Sequence, residues 1–169
     1  MKKYILLMRH AKSSWDHPGL KDFDRPLNKR GEKDGPRMAK FLKETGYLPD
    51  RIISSPAKRT TLTAEFITKH MNQKQPVIWD KMLYEGTEEH YLNAVKNAPE
   101  KTEKIMLIGH NPTMEETAAR LCCAGRGNIR MPTAALACFE GELERWEDLD
   151  KAYFELKWYV IPKLLKKLS

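Results

Sequence analysis

The chain has 169 residues, of which 41% are hydrophobic and 31% charged, and its 30 Lys+Arg against 23 Asp+Glu leave a formal charge of +7. That length suits one domain, residues 1–169, burying roughly 70% of the surface its unfolded chain exposes without disulfides or a structural metal. The composition excludes a disordered chain, and no apolar run approaches the ~20 residues of a membrane span. Met1-Lys2-Lys3 followed by Tyr4–Met8 starts like a signal peptide, but Arg9 and His10 end the run too early. The expected location is cytoplasmic, with no membrane partner.

Tyr4–Met8 reads as a buried strand, and a polar loop, 12–25, follows. Asn28 is placed to cap a helix running to about Glu44 and ended by Gly46. Pro36 conflicts with that helix and predicts a kink or a new start. Arg51–Ser54 reads as a second strand. Ser55-Pro56 then reads as an N-cap with proline at the first helical position. That helix is expected to reach about His70, with Leu62, Phe66 and Ile67 on one face. Val77–Trp79 is a short strand, and Thr87 caps a helix carrying Tyr91, Leu92 and Val95. Ile105–Ile108 is the clearest strand after the first. Asn111-Pro112 repeats the cap-plus-proline pattern, for a helix to about Cys123. Ala134–Phe139 and Phe154–Val160 are late strands. In the last of these, Phe154, Leu156, Trp158 and Val160 alternate with more polar neighbours, as at a half-exposed sheet edge. Pro162 opens a short basic helix, 163–168. Alternating strands and helices predict an α/β fold with a mostly parallel sheet.

The charge is polarised. Residues 1–60 carry 15 Lys+Arg and 7 Asp+Glu, so the whole excess lies in the first third. This points to an anionic ligand or to a solvated basic surface. Nucleic acid is not the expected partner, because no basic run exceeds two or three residues and no recognition motif appears. Residues 140–150 run the other way, with six carboxylates against Arg145. The three cysteines, Cys122, Cys123 and Cys138, form no Cys-x-x-Cys pair, and reduced, partly buried thiols are expected.

Chemistry concentrates at three strand-to-helix junctions. They are Arg9-His10, then Ser54-Ser55-Pro56 with Arg59 in the next turn, then Gly109-His110-Asn111-Pro112. In a parallel sheet these ends share the carboxyl edge, where α/β sheets bind ligands and helix N-termini favour anions. Two histidines and two arginines are therefore expected at one spot. No P-loop and no Gly-x-Ser-x-Gly elbow occurs. No metal or other cofactor is expected, since the arginines would repel a cation and a third ligand is not evident.

Leu7-Met8-Arg9-His10-Ala11-Lys12-Ser13 resembles the "Arg-His-Gly" signature of the histidine phosphatase superfamily. Ser54 to Glu65 resembles its second block, Ile108-Gly109-His110-Asn111-Pro112 its third, and Arg25-Pro26-Leu27-Asn28-Lys29-Arg30-Gly31 a further block of its short branch. The four blocks arrive in the family's order and span roughly residues 4–139. Ala11 stands where the signature has Gly, a departure common in the short branch, which contains the SixA-like bacterial phosphohistidine phosphatases.

The resemblance implies a phosphoglycerate mutase-like α/β/α sandwich and a phosphatase. His10 would be the nucleophile that forms a phosphohistidine intermediate. Arg9 and Arg59 would grip the phosphoryl oxygens, and His110 would donate to them. Glu85, in Leu83-Tyr84-Glu85-Gly86, lies in the region where longer members place a general acid; Asp80 and His17 are weaker candidates. Arg25 would touch phosphate or order the loop, and Lys12 and Ser13 would line the rim. The implied substrate is a phosphorylated molecule, with phosphohistidine on a protein the first choice. A broad small-molecule phosphomonoesterase and a weakly active phosphate-binding regulatory module are the alternatives.

Overall fold

The structure, a computed structural model, describes residues 1–71 and 76–168. The strands are β1 (Lys2–Arg9), β2 (Arg51–Ser54), β3 (Ile78–Trp79), β4 (Lys104–Gly109), β5 (Leu136–Glu142) and β6 (Phe154–Val160). They form one six-stranded sheet in the order β3-β2-β4-β1-β5-β6. The pairs β1–β4, β2–β4 and β2–β3 are parallel, and β5 is antiparallel to both β1 and β6. Five strands therefore point one way.

The period-2 alternation of the apolar strands sends successive side chains to opposite faces. Ile5 and Leu7 of β1 join Ile53, Ile105, Leu107, Ala137 and Phe139 on one face. Helices α4 (Glu88–Lys96) and α5 (Thr113–Cys123) cover them with Tyr91, Leu92, Val95, Met114 and Ala118. Leu6 and Met8 join Ile52, Met106, Ile108, Leu136 and Cys138 on the other face. Helices α1 (Lys29–Thr45) and α2 (Lys58–Thr68) cover that side with Met38, Ala39, Leu42, Ala64 and Ile67. Each fully buried aliphatic side chain contributes about 1.5–3 kcal/mol, so both layers are firmly attached. The expected α/β/α sandwich is present.

Local expectations hold in part. Asn28 caps α1, its side chain accepting from the Gly31 N–H at 2.9 Å, and Gly46 ends the helix in the left-handed region at φ 76°. The helix runs through Pro36 as one element, so no new start occurs there. The preceding residue is Gly35, which lacks the Cβ that a proline ring would press against. Helix α2 starts two residues later than its sequence suggests: Ser55 and Pro56 lie outside it and Ala57 is the cap. Likewise Asn111 does not cap α5. Its amide donates to Glu115 Oε1 and the Met131 carbonyl, and Pro112, after a cis Asn111–Pro112 bond, precedes the first turn.

Strand β5 begins at Leu136 rather than Ala134, whose N–H turns back to the Arg9 and His10 carbonyls. In β6 the anticipated single stripe is broken by an irregularity in register: Cys138 pairs with Trp158 and Phe139 with Leu156. Phe154 packs on the α4–α5 face, whereas Trp158 and Val160 pack on the α1–α2 face. An inserted residue in a strand switches the side to which its neighbours point. Helix α3 (Met82–Glu85) was not anticipated, and α6 (Pro162–Leu168) closes the fold. Cys138 is buried and Cys122 half-buried, but Cys123 is exposed. No helix among the described residues is long and apolar enough to cross a membrane.

Candidate active site

The carboxyl ends of β1, β2 and β4 lie side by side, and they bring Arg9, His10, Ser55, Arg59 and His110 together. The His10 and His110 rings are 5.2 Å apart between centroids. His10 is 7% exposed, and its Nδ1 lies 2.7 Å from the Ala11 carbonyl oxygen. A carbonyl can only accept, so Nδ1 carries the proton and Nε2 keeps its lone pair. Burial, with the charges of Arg59 and Arg9 beside it, pushes the His10 pKa down to about 3. The imidazole is therefore neutral near pH 7.

The neighbouring backbone is fixed by Thr63 of α2. Its hydroxyl accepts from the Ala11 N–H at 3.0 Å and donates to the Arg59 carbonyl at 2.7 Å. Gly109 meets a second constraint, since a Cβ there would lie 2.1 Å from the Tyr91 hydroxyl oxygen. That hydroxyl donates to the Leu83 carbonyl and accepts from the His110 N–H. Tyr91 thus ties α4 to the end of β4.

Arg59 is 6% exposed. Its Nη1 donates to the Asp22 carbonyl at 2.7 Å, and its Nη2 reaches the Asp22 carboxylate at 3.0 Å and His110 Nδ1 at 3.2 Å. His110 Nε2 lies 2.8 Å from Ser55 Oγ. Burial first, then Arg59, lowers the His110 pKa to about 3, so this ring is also neutral. Arg9 donates Nη1 to the Met131 carbonyl at 3.1 Å, and its buried Nε has no partner among the described residues.

The loop after β1 contributes a carboxylate that the sequence did not single out. Asp22 binds Arg25 at 2.9 Å, Arg59 at 3.0 Å and the Tyr84 hydroxyl at 3.0 Å. Burial pushes its carboxyl up, but Arg25 and Arg59 outweigh that and hold it at about 2. Tyr84 also packs edge-on against Phe23 and against His110. Asp22 and Tyr84 escape sequence reasoning because neither sits at a strand end. Ser55 sits at one, but its position resembles a helix cap. The available signals were an acid three residues before Arg25 and a tyrosine beside Glu85.

Arg25 does not project into the cluster as an unengaged cation. Nε donates to the Ser14 carbonyl, Nη1 to Asp22 and Nη2 to Ser13 Oγ, with exposed Trp15 stacked at 3.3 Å. It orders the loop, and it occupies Ser13 in doing so. Lys12 receives the Asn28 N–H at its carbonyl, and its ammonium has no partner among the described residues. Glu85 is half exposed and pairs with Lys81 at 3.4 Å rather than with any residue of the cluster. Asp80 accepts from the Met82 N–H at the start of α3, and His17 is exposed. No group of three or more His, Cys, Asp or Glu among the described residues could hold a metal ion.

The family described as Histidine phosphatase superfamily (branch 1) matches residues 5–103. An uncharacterized chloroplastic protein of Arabidopsis thaliana is 33% identical over 157 residues, covering 88% of this chain and 71% of that protein. A solved structure assigned as phosphohistidine phosphatase SixA from Agrobacterium tumefaciens is 28% identical. It superposes with a TM-score of 0.79 over 95% of this chain and 98% of its own. The protein histidine phosphatase SixA in complex with tungstate is 25% identical, with a TM-score of 0.78 over 96% and 99% of the two chains.

Proposed function

The chain belongs to branch 1 of the histidine phosphatase superfamily, and from that premise we propose that it is a phosphatase acting on phosphohistidine in a protein, through a phosphohistidine intermediate on His10. The observation that carries this reading is the His10 tautomer. Nδ1–H is held by the Ala11 carbonyl, so a neutral imidazole presents Nε2 as a nucleophile. The lone pair attacks phosphorus, a P–N bond forms, and the bond to the leaving group breaks. Water then attacks the same phosphorus, releasing inorganic phosphate and neutral His10.

The other residues stabilise charge. Arg9 and Arg59 hold the phosphoryl oxygens as planar donors, and His110 donates through Nε2–H, which Ser55 keeps protonated before substrate arrives. Phosphoryl transfer asks mainly for positioning and positive charge, and these side chains supply both without a divalent cation. A substrate imidazole has a conjugate-acid pKa of about 6.5 and can leave already protonated. The exposed Glu85, paired with Lys81, is then not required as an acid. The SixA structures support the substrate class by their likeness in fold and sequence.

The test is a parallel assay, with EDTA present, of a phosphohistidine peptide and p-nitrophenyl phosphate, with His10→Ala as control. Preference for the peptide, lost in the control, supports the reading. Comparable or better turnover of the ester moves the substrate to small phosphomonoesters. Loss of activity in EDTA that added metal restores overturns the metal-independent mechanism.

A further inference from the structure

A basic groove of about 500 Å³ lies between α1 and the start of α6, outside the His10 cluster. Arg30, Lys33, Arg37 and Lys163 line it, with Asp34 beneath them and Thr133 on its wall. Asp34 is buried and already engaged, 2.7 Å from Arg37 Nη1 and 3.8 Å from Arg30 Nε. Among the described lining residues this one carboxylate stands against five cationic side chains, Lys166 being the fifth. Lys33 and Lys163 are exposed and pair with no carboxylate among the described residues. Among the described residues the groove is thus a concentrated positive surface with a single carboxylate, Asp34.

The groove shares a segment of chain with the catalytic cluster. Arg30 Nη2 donates to Thr133 Oγ1 at 2.9 Å. The next residue, Ala134, donates its N–H to the Arg9 and His10 carbonyls. Two residues before Thr133, the Met131 carbonyl holds Arg9 Nη1. A phosphoryl group gripped by Arg9 would therefore sit one short segment away from these cations. A small phosphomonoester cannot reach both places, but a polypeptide carrying the phosphoryl group can.

We propose that this groove docks an acidic stretch of the substrate protein, adjoining its phosphorylated histidine. The inference rests on the phosphohistidine reading above and deepens it: the partner is a protein with carboxylates near the modified side chain. Long-range attraction of that kind raises encounter rates and weakens with salt. The excess positive charge of residues 1–60 then has a use beyond the phosphoryl site.

The experiment compares two synthetic phosphohistidine peptides, one with a run of four glutamates a few residues from the phosphohistidine and one with serines in their place. A third substrate is free phosphohistidine. Wild-type enzyme is set against Lys33→Glu/Lys163→Glu, two exposed positions outside the catalytic cluster. The expected result is a preference of about tenfold in kcat/KM for the acidic peptide, carried by KM and reduced by 0.5 M salt. The double variant loses that preference while hydrolysing free phosphohistidine at the wild-type rate. Equal rates on the two peptides, or a preference that survives in the variant, overturn the docking groove and leave the phosphohistidine reading intact. Hydrolysis of p-nitrophenyl phosphate but of no phosphohistidine substrate overturns both.

Discussion

Nη2 of Arg59 lies 3.2 Å from Nδ1 of His110, and this contact sets which nitrogen of His110 carries the proton. A guanidinium only donates, so Nδ1 accepts and Nε2 is the N–H that faces Ser55 Oγ. Arg59→Lys keeps a positive charge but loses the planar fork that serves Asp22 and His110 together. The expected result is a fall in kcat/KM of about 10²-fold or more, the size seen when one fixed transition-state donor is removed. ¹⁵N spectra of His110 report the tautomer directly. An unchanged Nε2–H tautomer in the variant refutes this account of Arg59.

Asp22 joins Arg59, Arg25 and Tyr84. It places a carboxylate where the cluster would otherwise be more positive. Asp22→Asn keeps the shape and an acceptor oxygen but removes the charge. Inorganic phosphate is expected to inhibit the variant several-fold more strongly, because it no longer competes with a resident anion for Arg59. The Asp22 side chain is 52% exposed. Its loss is accordingly expected to lower stability by no more than about 1 kcal/mol, read from the urea midpoint. Phosphate inhibition equal to wild type would assign Asp22 a purely structural part.

Both site histidines are held neutral, with pKa values pushed down to about 3. Between pH 6.5 and 4.5 the unfolded chain protonates these side chains and the folded one does not. The unfolded state thus binds more protons, and stability must fall as pH falls through this window. These two residues contribute a slope of about two protons per molecule, on top of the other groups that titrate there. Urea unfolding at half-unit pH steps measures it. His10→Gln is expected to reduce the slope by about one proton, and His110→Gln likewise. A slope unaltered by either substitution would mean that the rings are protonated in the folded state.

The four residues Arg9, His10, Arg59 and His110 were legible because the chain itself marks strand ends. Ile5–Met8 and Ile105–Ile108 are the two most apolar runs, and an Arg-His or Gly-His pair follows each directly. Parallel pairing of β1 with β4, in register from Tyr4–Lys104 to Arg9–Gly109, then makes their meeting unavoidable. Asp22 and Tyr84 were not legible, because their role depends on how the segment after β1 and helix α3 fold over Arg59 from opposite sides in sequence. Helix starts were misplaced at Ser55 and Asn111 for a related reason. Those side chains have partners distant in sequence, His110 and the Met131 carbonyl, that compete with capping.

Gly109 tests how tightly the end of β4 is packed. Its missing Cβ leaves room for the Tyr91 hydroxyl, which also carries the His110 N–H. Gly109→Ala is expected to cost about 1–3 kcal/mol by overpacking and to reduce activity by displacing His110. Tyr91→Phe removes the oxygen that clashes. The double variant Gly109→Ala/Tyr91→Phe is therefore expected to be more stable than the sum of the two single losses by about 1 kcal/mol. Strict additivity in thermal or urea unfolding would show that the strain is relieved elsewhere.

Glu85 decides whether this site carries a general acid. Its carboxylate is half exposed and paired with Lys81 rather than with any residue of the cluster. A phosphohistidine substrate releases imidazole and needs no proton from the enzyme below the pKa of that ring. An alkyl phosphate releases an alkoxide and does need one. Glu85→Gln is therefore expected to leave kcat/KM on a phosphohistidine peptide within about fivefold of wild type. On an alkyl phosphate the wild type is expected to be slow already, and the variant no slower. A loss of about 10²-fold on the alkyl phosphate alone would make Glu85 an acid for esters and widen the substrate range. The same loss on the phosphohistidine peptide would show that the departing imidazole takes its proton from Glu85.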